Sequence, residues 1–310
     1  MPISYGELNG PLIGATIRDC VVRATRLIRD KRFTFKPRQK GTKADGRPDW
    51  VTDADEDAQE IYTKVLRERF PQFGIVGEEE GLRIACTHPT EDFWFSVDPL
   101  DGTSAYNRYQ SHGIGTMIAL MHGKKVIAVA IGDILTGEIY YYRPGSRKTH
   151  RLDVHQNSFD QRLWINPKRT LIDQYILLRD PVEKHSDMAQ CLVQLHPHPL
   201  FYSHEITGGS IGISMARLWK GEVGGVILRP GKQTPWDSCP VLGLTKRLGF
   251  VFFDLNPLKG EGTYGPSLHQ THPVPQKHTY SVGVDTLVIH KSRIPELTEW
   301  CTSAGLKIEL

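Results

Sequence analysis

The stretch Phe93-Trp94-Phe95-Ser96-Val97-Asp98-Pro99-Leu100-Asp101-Gly102-Thr103 decides how this chain is read. Residues 93–97 are an apolar, β-rich run and predict a strand. Two aspartates, Asp98 and Asp101, then bracket a Pro-Leu pair. The proline stiffens the turn, so both carboxylates can point to one place, and the Leu100 carbonyl becomes available as a further oxygen. Gly102 and Thr103 follow at an expected helix start, where backbone N–H groups suit a phosphate oxygen. Such a turn serves structure poorly. Neighbouring carboxylates repel, and packing them against a strand end is costly unless a cation neutralises them.

Two further acidic clusters belong with this one. Gly77-Glu78-Glu79-Glu80-Gly81 comes just after a strand expected at residues 74–76, and Trp236-Asp237 stands immediately before a helix expected at residues 240–248. A glutamate run by itself is usually a solvated turn, and a lone Trp-Asp pair says little. Taken with Asp98 and Asp101, they supply the donors of a divalent-cation site. Hard cations want oxygen ligands, and Mg²⁺ takes a few carboxylates while keeping several waters.

Around these clusters helices and strands are mixed. Ile13, Ile17, Cys20, Val21, Ala24, Leu27 and Ile28 recur at three- and four-residue spacing behind Pro11 and predict an amphipathic helix. Residues 33–46 read as a strand and then an exposed, mobile basic loop. A second helix carries Ala58, Ile61, Tyr62, Val65 and Leu66 on one face, with Asp55 or a near neighbour as its N-cap. Strands are expected at 116–120, 126–131 and 139–142. The polar run 143–160 divides an N-terminal α+β half, residues 1–150, from a C-terminal α/β half, residues 151–310. The second half is expected to hold strands at 175–178, 225–228, 250–254 and 285–289. Its helices are expected at 187–195, 212–220, 240–248 and 295–304. Residues 258–279, rich in proline and glycine, read as a loop insertion. This mixture indicates an α/β or α+β fold.

Composition narrows the function classes. A chain of 310 residues, 39% hydrophobic and 24% charged, can bury a sizeable core and is not a disordered sequence. Thirty-eight Lys and Arg against 35 Asp and Glu leave a net charge of only +3. That balance, with no basic-aromatic pattern, argues against a nucleic-acid partner and a polybasic membrane anchor. Cys20, Cys86, Cys191, Cys239 and Cys301 are dispersed and form no CxxC pair, which points to a reducing compartment. No secretory signal is evident at Met1 to Gly10, and no run approaches the ~18 apolar residues of a membrane span. A soluble, cytoplasmic protein is expected. The clusters His196, His198, His204 and His269, His272, His278 lack the spacing of two ligands on one helix face, so structural roles are expected. Cys239 has no obvious base beside it and is read as a packing residue.

Four motifs carry a family resemblance: Val51-Thr52-Asp53-Ala54-Asp55, the 77–81 cluster, the 98–103 segment and Trp236-Asp237-Ser238-Cys239-Pro240. In this order and at this spacing they resemble the inositol monophosphatase superfamily of Mg²⁺-dependent, lithium-sensitive phosphatases, over nearly the whole chain. The resemblance implies a layered α/β sandwich of alternating helix and sheet layers, a homodimer, and two to three Mg²⁺ ions. Glu78, Asp98 and the Leu100 carbonyl would bind the first ion, and Asp98, Asp101 and Asp237 the second. A third, weaker ion would use Glu78 and water, close to the basic loop. Asp55 and Thr103 would help Glu78 orient and deprotonate the attacking water. The Gly102 and Thr103 amides would hold the phosphate, Glu79 would be a supporting acid, and Gly209 and Ser210 would touch substrate.

One position departs from the pattern. Arg229 stands where inositol-preferring members carry an acidic residue. A donor-only cation suits a second phosphate or a carboxylate. The expected activity is a Mg²⁺-dependent phosphomonoesterase for a small phosphorylated metabolite, inositol monophosphate-like. The alternatives are a 3'(2'),5'-bisphosphate nucleotidase or fructose-1,6-bisphosphatase. A non-catalytic, metal- or phosphate-binding regulatory protein is the reading of another class. A degenerate member would be expected to lose Asp55, Glu78 or Thr103, and all three are present.

Overall fold

A strand that is apolar at every position must bury both faces. Residues 117–121 do this between two different cores: Met117, Ala119 and Met121 enter one, Ile118 and Leu120 the other. The computed structural model describes residues 10–42, 46, 48–154, 161–163, 165–166, 168–194, 199–256 and 267–310. The chain begins with helix α1 (Gly10–Asp30), strands β1 (Pro37–Thr42) and β2 (Pro48–Thr52), and helix α2 (Asp53–Arg69). Strands β3 (Gly74–Gly77), β4 (Arg83–Ile84) and β5 (Phe93–Asp101) follow, then the short α3 (Thr103–Asn107). Next come β6 (Gly115–His122), β7 (Lys125–Asp133), β8 (Glu138–Tyr142), β9 (His150–Asp153) and β10 (Gln161–Arg162). The order continues with β11 (Tyr175–Leu178), α4 (Asp187–Gln194), β12 (Ser203–Ile206), α5 (Ile211–Trp219), β13 (Gly225–Leu228) and β14 (Gly231–Gln233). It closes with α6 (Pro235–Arg247), β15 (Phe250–Asn256), β16 (Ser267–Thr271), β17 (Tyr280–Val282), β18 (Asp285–His290), α7 (Ile294–Ser303) and β19 (Lys307–Glu309).

Eight strands form a first sheet in the order β10-β9-β8-β7-β6-β5-β3-β4, and seven form a second, β12-β11-β13-β18-β15-β16-β19. In the first, every pair is antiparallel except β3 with β5. Helices α1 and α2 lay Ile13, Ile17, Val21, Ala58 and Tyr62 on one face of it, against Phe95, Ile118 and Leu120. The other face packs on α5 and α6 through Met215, Trp219, Val241 and Leu244, which also meet Val226, Phe252 and Val288 of the second sheet. Helices α4 and α7 cover the far side of that sheet with Met188, Leu192, Leu297 and Trp300. The layers therefore run helix, sheet, helix, sheet, helix, which is the alternating sandwich expected from the motifs.

Several boundaries differ from the sequence reading. The first sheet runs past residue 150, through β9 and β10. The basic segment expected to be a loop is partly the hairpin β1–β2; its residues 43–45 and 47 lie outside the described residues, as do 257–266 of the proposed insertion. The remainder of that insertion is not all loop, because Ser267–Thr271 is β16, paired with β15 and β19. Among the described residues, no helix is long and apolar enough to cross a membrane.

Candidate active site

The decisive segment lies inside β5 rather than after it. Its pairing with β6 runs from Asp98↔Met117 to Asp101↔Gly115, with an irregularity between. Pro99 cannot donate to the ladder, so the strand bulges there. Helix α6 likewise starts earlier than its periodicity suggests, with Pro235 in its first turn, where proline's missing N–H costs nothing. Asp237 is thus a first-turn helical residue. Ser96 Oγ donates to the Pro235 carbonyl at 2.7 Å and pins that helix start to β5. Carboxylate oxygens of Asp98, Asp101 and Asp237 consequently lie within 4.8 Å of one another.

Each acid has a different surrounding. Asp101 accepts bonds from Ser210 Oγ and from the amides of Ile211 (3.2 Å) and Gly212 (2.8 Å), capping the start of α5. Asp237 accepts from Thr234 Oγ1 at 2.6 Å. Asp98 is buried, and its Oδ1 has no hydrogen-bond partner. Burial raises the affinity of all three for protons. The charges of Glu78, Asp101 and Asp237 add to this at Asp98, which is held well above the carboxylate range. Asp237 is pushed up to about 7 by burial, then by Asp101 and Glu78. At Asp101 the rise from burial is opposed by Ser210, the α5 amides and Arg179. An oxygen-only donor set with an orphaned carboxylate oxygen and mutually repelling charges fits a hard divalent cation.

Glu78, in the turn after β3, acts on Asp98 and Asp237 from outside the group that lies within 4.8 Å, and Glu79 stands beside Glu78 and Asp55 instead. Gln59 grips the Glu79 backbone at both ends, accepting from its N–H and donating to its carbonyl at 3.0 Å each. Lys40 of β1 places its Nζ 3.1 Å from Glu78 Oε1 and 2.6 Å from Glu79 Oε1. Burial and the Glu78 charge push Glu79 up to about 7 despite that lysine. Glu80 is exposed, with φ at +51°.

Asp55 is fully buried in the first turn of α2. The N-cap is its neighbour Thr52, whose N–H donates to Asp55 Oδ2 at 2.9 Å in a reciprocal capping box. Thr103 Oγ1 lies 3.0 Å from Asp55 Oδ1 and 3.1 Å from the Leu100 carbonyl. Burial pushes Asp55 up to about 7, against the pull of the Thr52 and Thr103 bonds.

Three glycines close the site on the other side. Gly102 has φ +94°, and a Cβ there would lie 2.5 Å from the Gly113 carbonyl oxygen and 2.8 Å from Ser210 N. At Gly209, φ +84°, a Cβ would come within 2.3 Å of that same oxygen. Ser210 N donates to it at 2.7 Å. Gly102, Gly209 and Ser210 are therefore brought together with Asp101.

Arg229 does not stand alone. Its Nη1 lies 2.5 Å from Asp180 Oδ2. The adjacent Arg179 donates to the Gly209 carbonyl at 2.9 Å and to Ser214 Oγ at 3.1 Å, and Asp101 and Asp237 act on its charge. Neither Arg179 nor Asp180 stands out in the sequence. The signal that points to them is their place directly after β11, as the Asp98 segment ends β5. Cys239 is buried and its thiol is pushed up to about 12 by burial, as suits a packing residue. His196 and His198 lie outside the described residues, and His269 pairs with Glu309 at 3.1 Å.

The inositol monophosphatase family model matches residues 15–279. The chain belongs to the inositol monophosphatase family. It is 35% identical over 94 residues to a Nus factor SuhB of Xylella fastidiosa, covering 30% of this chain and 32% of that protein. It is 30% identical over 118 residues to an inositol monophosphatase of Mesembryanthemum crystallinum, covering 38% and 37%. In both, well under half of the relative's length is matched. A solved IMPase/NADP phosphatase complexed with Mg²⁺ and phosphate has the same fold, with a TM-score of 0.64 at 17% identity over 93% of this chain and 94% of that one.

Proposed function

We propose that this chain is a Mg²⁺-dependent phosphomonoesterase acting on a small phosphorylated polyol, an inositol monophosphate or a close analogue. The observation that carries the reading is the convergence of Asp98, Asp101 and Asp237 within 4.8 Å, with one buried carboxylate oxygen left without a partner. Glu78, Asp98, the Leu100 carbonyl, Asp101 and Asp237 would hold Mg²⁺, which supplies Lewis acidity to the phosphoryl oxygens and to water. Family membership and the Mg²⁺ and phosphate complex of a structural relative support a phosphatase.

The chain's own residues divide the remaining work. Asp55 accepts the Thr103 hydroxyl proton, which leaves the Thr103 oxygen lone pairs to receive a proton from the attacking water. Glu78, beside Asp98, is the second acceptor for that water. The φ +94° turn at Gly102 aims the start of α3 into the site, where the Gly102 and Thr103 amides would hold phosphate. Ser210 fixes Asp101 and, through the α5 amides, its orientation. Asp180 acts on Arg179, as Asp101 and Asp237 do, and from there would bear on the substrate. Because it engages Arg229, the pair offers an acceptor and a donor, which suits sugar hydroxyls better than a second phosphate.

Phosphate release should be measured with Mg²⁺ on inositol monophosphates, adenosine 3',5'-bisphosphate, fructose 1,6-bisphosphate and histidinol phosphate. Turnover of the inositol compounds is expected, with loss in chelator and in Asp101→Asn at unchanged circular dichroism. Chelator-resistant turnover, or full activity in Asp101→Asn, refutes the mechanism. Preference for the bisphosphates refutes the role given to the Asp180–Arg229 pair.

A further inference from the structure

The turn that carries Glu78 is strained and has to be held. Glu80 and Gly81 inside it both take positive φ, +51° and +64°. A residue other than glycine keeps that conformation only where its surroundings impose it. On one side Gln59 of α2 supplies the restraint, through the Glu79 backbone. On the other, Arg83, the first residue of β4, does so. Its Nη1 donates to the Gly77 carbonyl and to the Leu82 carbonyl, each at 2.8 Å. Those two carbonyls are the entry and the exit of the turn. The Gly77 amide closes it further by donating to the Leu82 carbonyl at 3.0 Å.

The same guanidinium lies over the ring of Trp236, 5.3 Å from its centroid. The face of an indole carries partial negative charge and attracts a cation at that distance. A planar guanidinium can stack on a ring while donating in its own plane, which an ammonium cannot do. Trp236 directly precedes Asp237 in the first turn of α6. One side chain therefore spans from the turn bearing Glu78 to the helix start bearing Asp237. Ser96 ties that helix start to β5 and Asp98; Arg83 adds a second tie, which leads to Glu78.

Without a bound ion, Glu78, Asp98 and Asp237 repel one another. Lys40 opposes this by pairing with Glu78 and Glu79 themselves, which occupies carboxylate oxygens. Arg83 bonds two carbonyls and an aromatic face instead. It holds the supports of the acids together and leaves their oxygens to a cation.

We propose that Arg83 is a positioning residue for the divalent-cation site: by bridging the turn 77–82 and Trp236 it fixes Glu78 relative to Asp237. This role rests on the cation-dependent reading of the acidic cluster given above.

Mg²⁺ binding to the metal-free full chain is measured by calorimetry, with circular dichroism as the check on folding. Removing a residue that supports metal ligands typically weakens metal affinity by about ten- to a hundredfold. Arg83→Gln and Trp236→Leu should each weaken Mg²⁺ binding about tenfold or more. Because both break one bridge, the double variant should be little weaker than the worse single one. Trp236→Phe keeps an aromatic face and should retain more of the affinity than Trp236→Leu. Val22→Ala trims a residue of α1 packed against the core; it loosens the fold without touching the bridge and should leave the affinity unchanged. Should Arg83→Gln not fold, the contrast between Trp236→Phe and Trp236→Leu reads the bridge from its other end, and an equal loss in those two overturns it. Unchanged affinity in Arg83→Gln overturns the positioning role while leaving the cation site standing. So do losses that multiply in the double variant, or an equal loss in Val22→Ala. Wild-type protein that binds no Mg²⁺ overturns the cation-dependent reading, and the role of Arg83 with it.

Discussion

Asp237→Asn isolates what the acidic cluster costs the fold when no cation is bound. The amide keeps an acceptor for Thr234 Oγ1 and removes one negative charge. In the folded protein Asp237 is pushed up from 3.8 to about 7 by burial and by its acidic neighbours. At 1.36 kcal/mol per unit, keeping it ionised above pH 7 costs about 4 kcal/mol. The carboxyl is only half-buried, and an acid in the first helical turn gains roughly 0.5 kcal/mol from the dipole, so the net relief should be about 2–4 kcal/mol. A carboxyl whose folded value is raised favours folding while protonated. The wild type should therefore lose stability as pH rises through the interval from 3.8 to 7. At ~2.1 cal/mol/K per residue, each kcal/mol moves the midpoint of a 310-residue chain by about 1.5 °C. Thermal unfolding of metal-free protein followed by circular dichroism should show Asp237→Asn melting about 3–6 °C higher at pH 8. At pH 5, only 1.2 units above 3.8, the gap should shrink to about two-fifths of that, and it should close below about pH 4. Saturating Mg²⁺ should reverse the order, since a ligand at 100 times its Kd stabilises by about 2.7 kcal/mol and the variant has lost a donor. A variant less stable than wild type at pH 8 without metal, or an equal gap at pH 5, would refute the reasoning.

Further outcomes concern the elements around the cluster. Gly102→Ala places a Cβ 2.5 Å from the Gly113 oxygen at φ +94°, so a loss of about 3 kcal/mol or more in chemical denaturation is expected together with loss of activity. Thr103→Val keeps the shape and removes the proton path to Asp55; kcat should fall by about 10²–10⁴ with KM little changed, and a proportional rise in KM would assign Thr103 to binding instead. Thr52→Ala breaks the capping box of α2 and should cost about 1–2 kcal/mol by urea unfolding. Ser210→Ala removes both the α5 cap and a donor to Asp101, so Mg²⁺ affinity measured by calorimetry should drop along with stability.

Strong local patterns in this chain are legible from the residues alone. The three- and four-residue spacing of residues 13–28 predicts α1, and the β-rich apolar runs predict the central strands, because each pattern states which face is buried. Asp98 and Asp101 announce themselves by chemistry, since paired acids at a strand end are costly without a cation. Edges are harder to read. Pro240 reads as a helix start but lies inside α6, because Pro235 meets the N-terminal requirement five residues earlier. The strands β16 and β19 carry little periodicity and exist through their neighbours.

The sequence alone determined the kinds of atoms available: oxygen donors from Glu78, Asp98, Asp101 and Asp237, a hydroxyl at Thr103, and glycines able to take positive φ. Those are properties of single residues and short segments. Only the tertiary structure decided which of them meet. It joined Asp237 to Asp98 through the Ser96–Pro235 bond, engaged Arg229 with Asp180, and brought Lys40 to Glu78 and Glu79. Charge and burial act through distances in space, and those distances depend on how the two sheets and the helices between them close on one another.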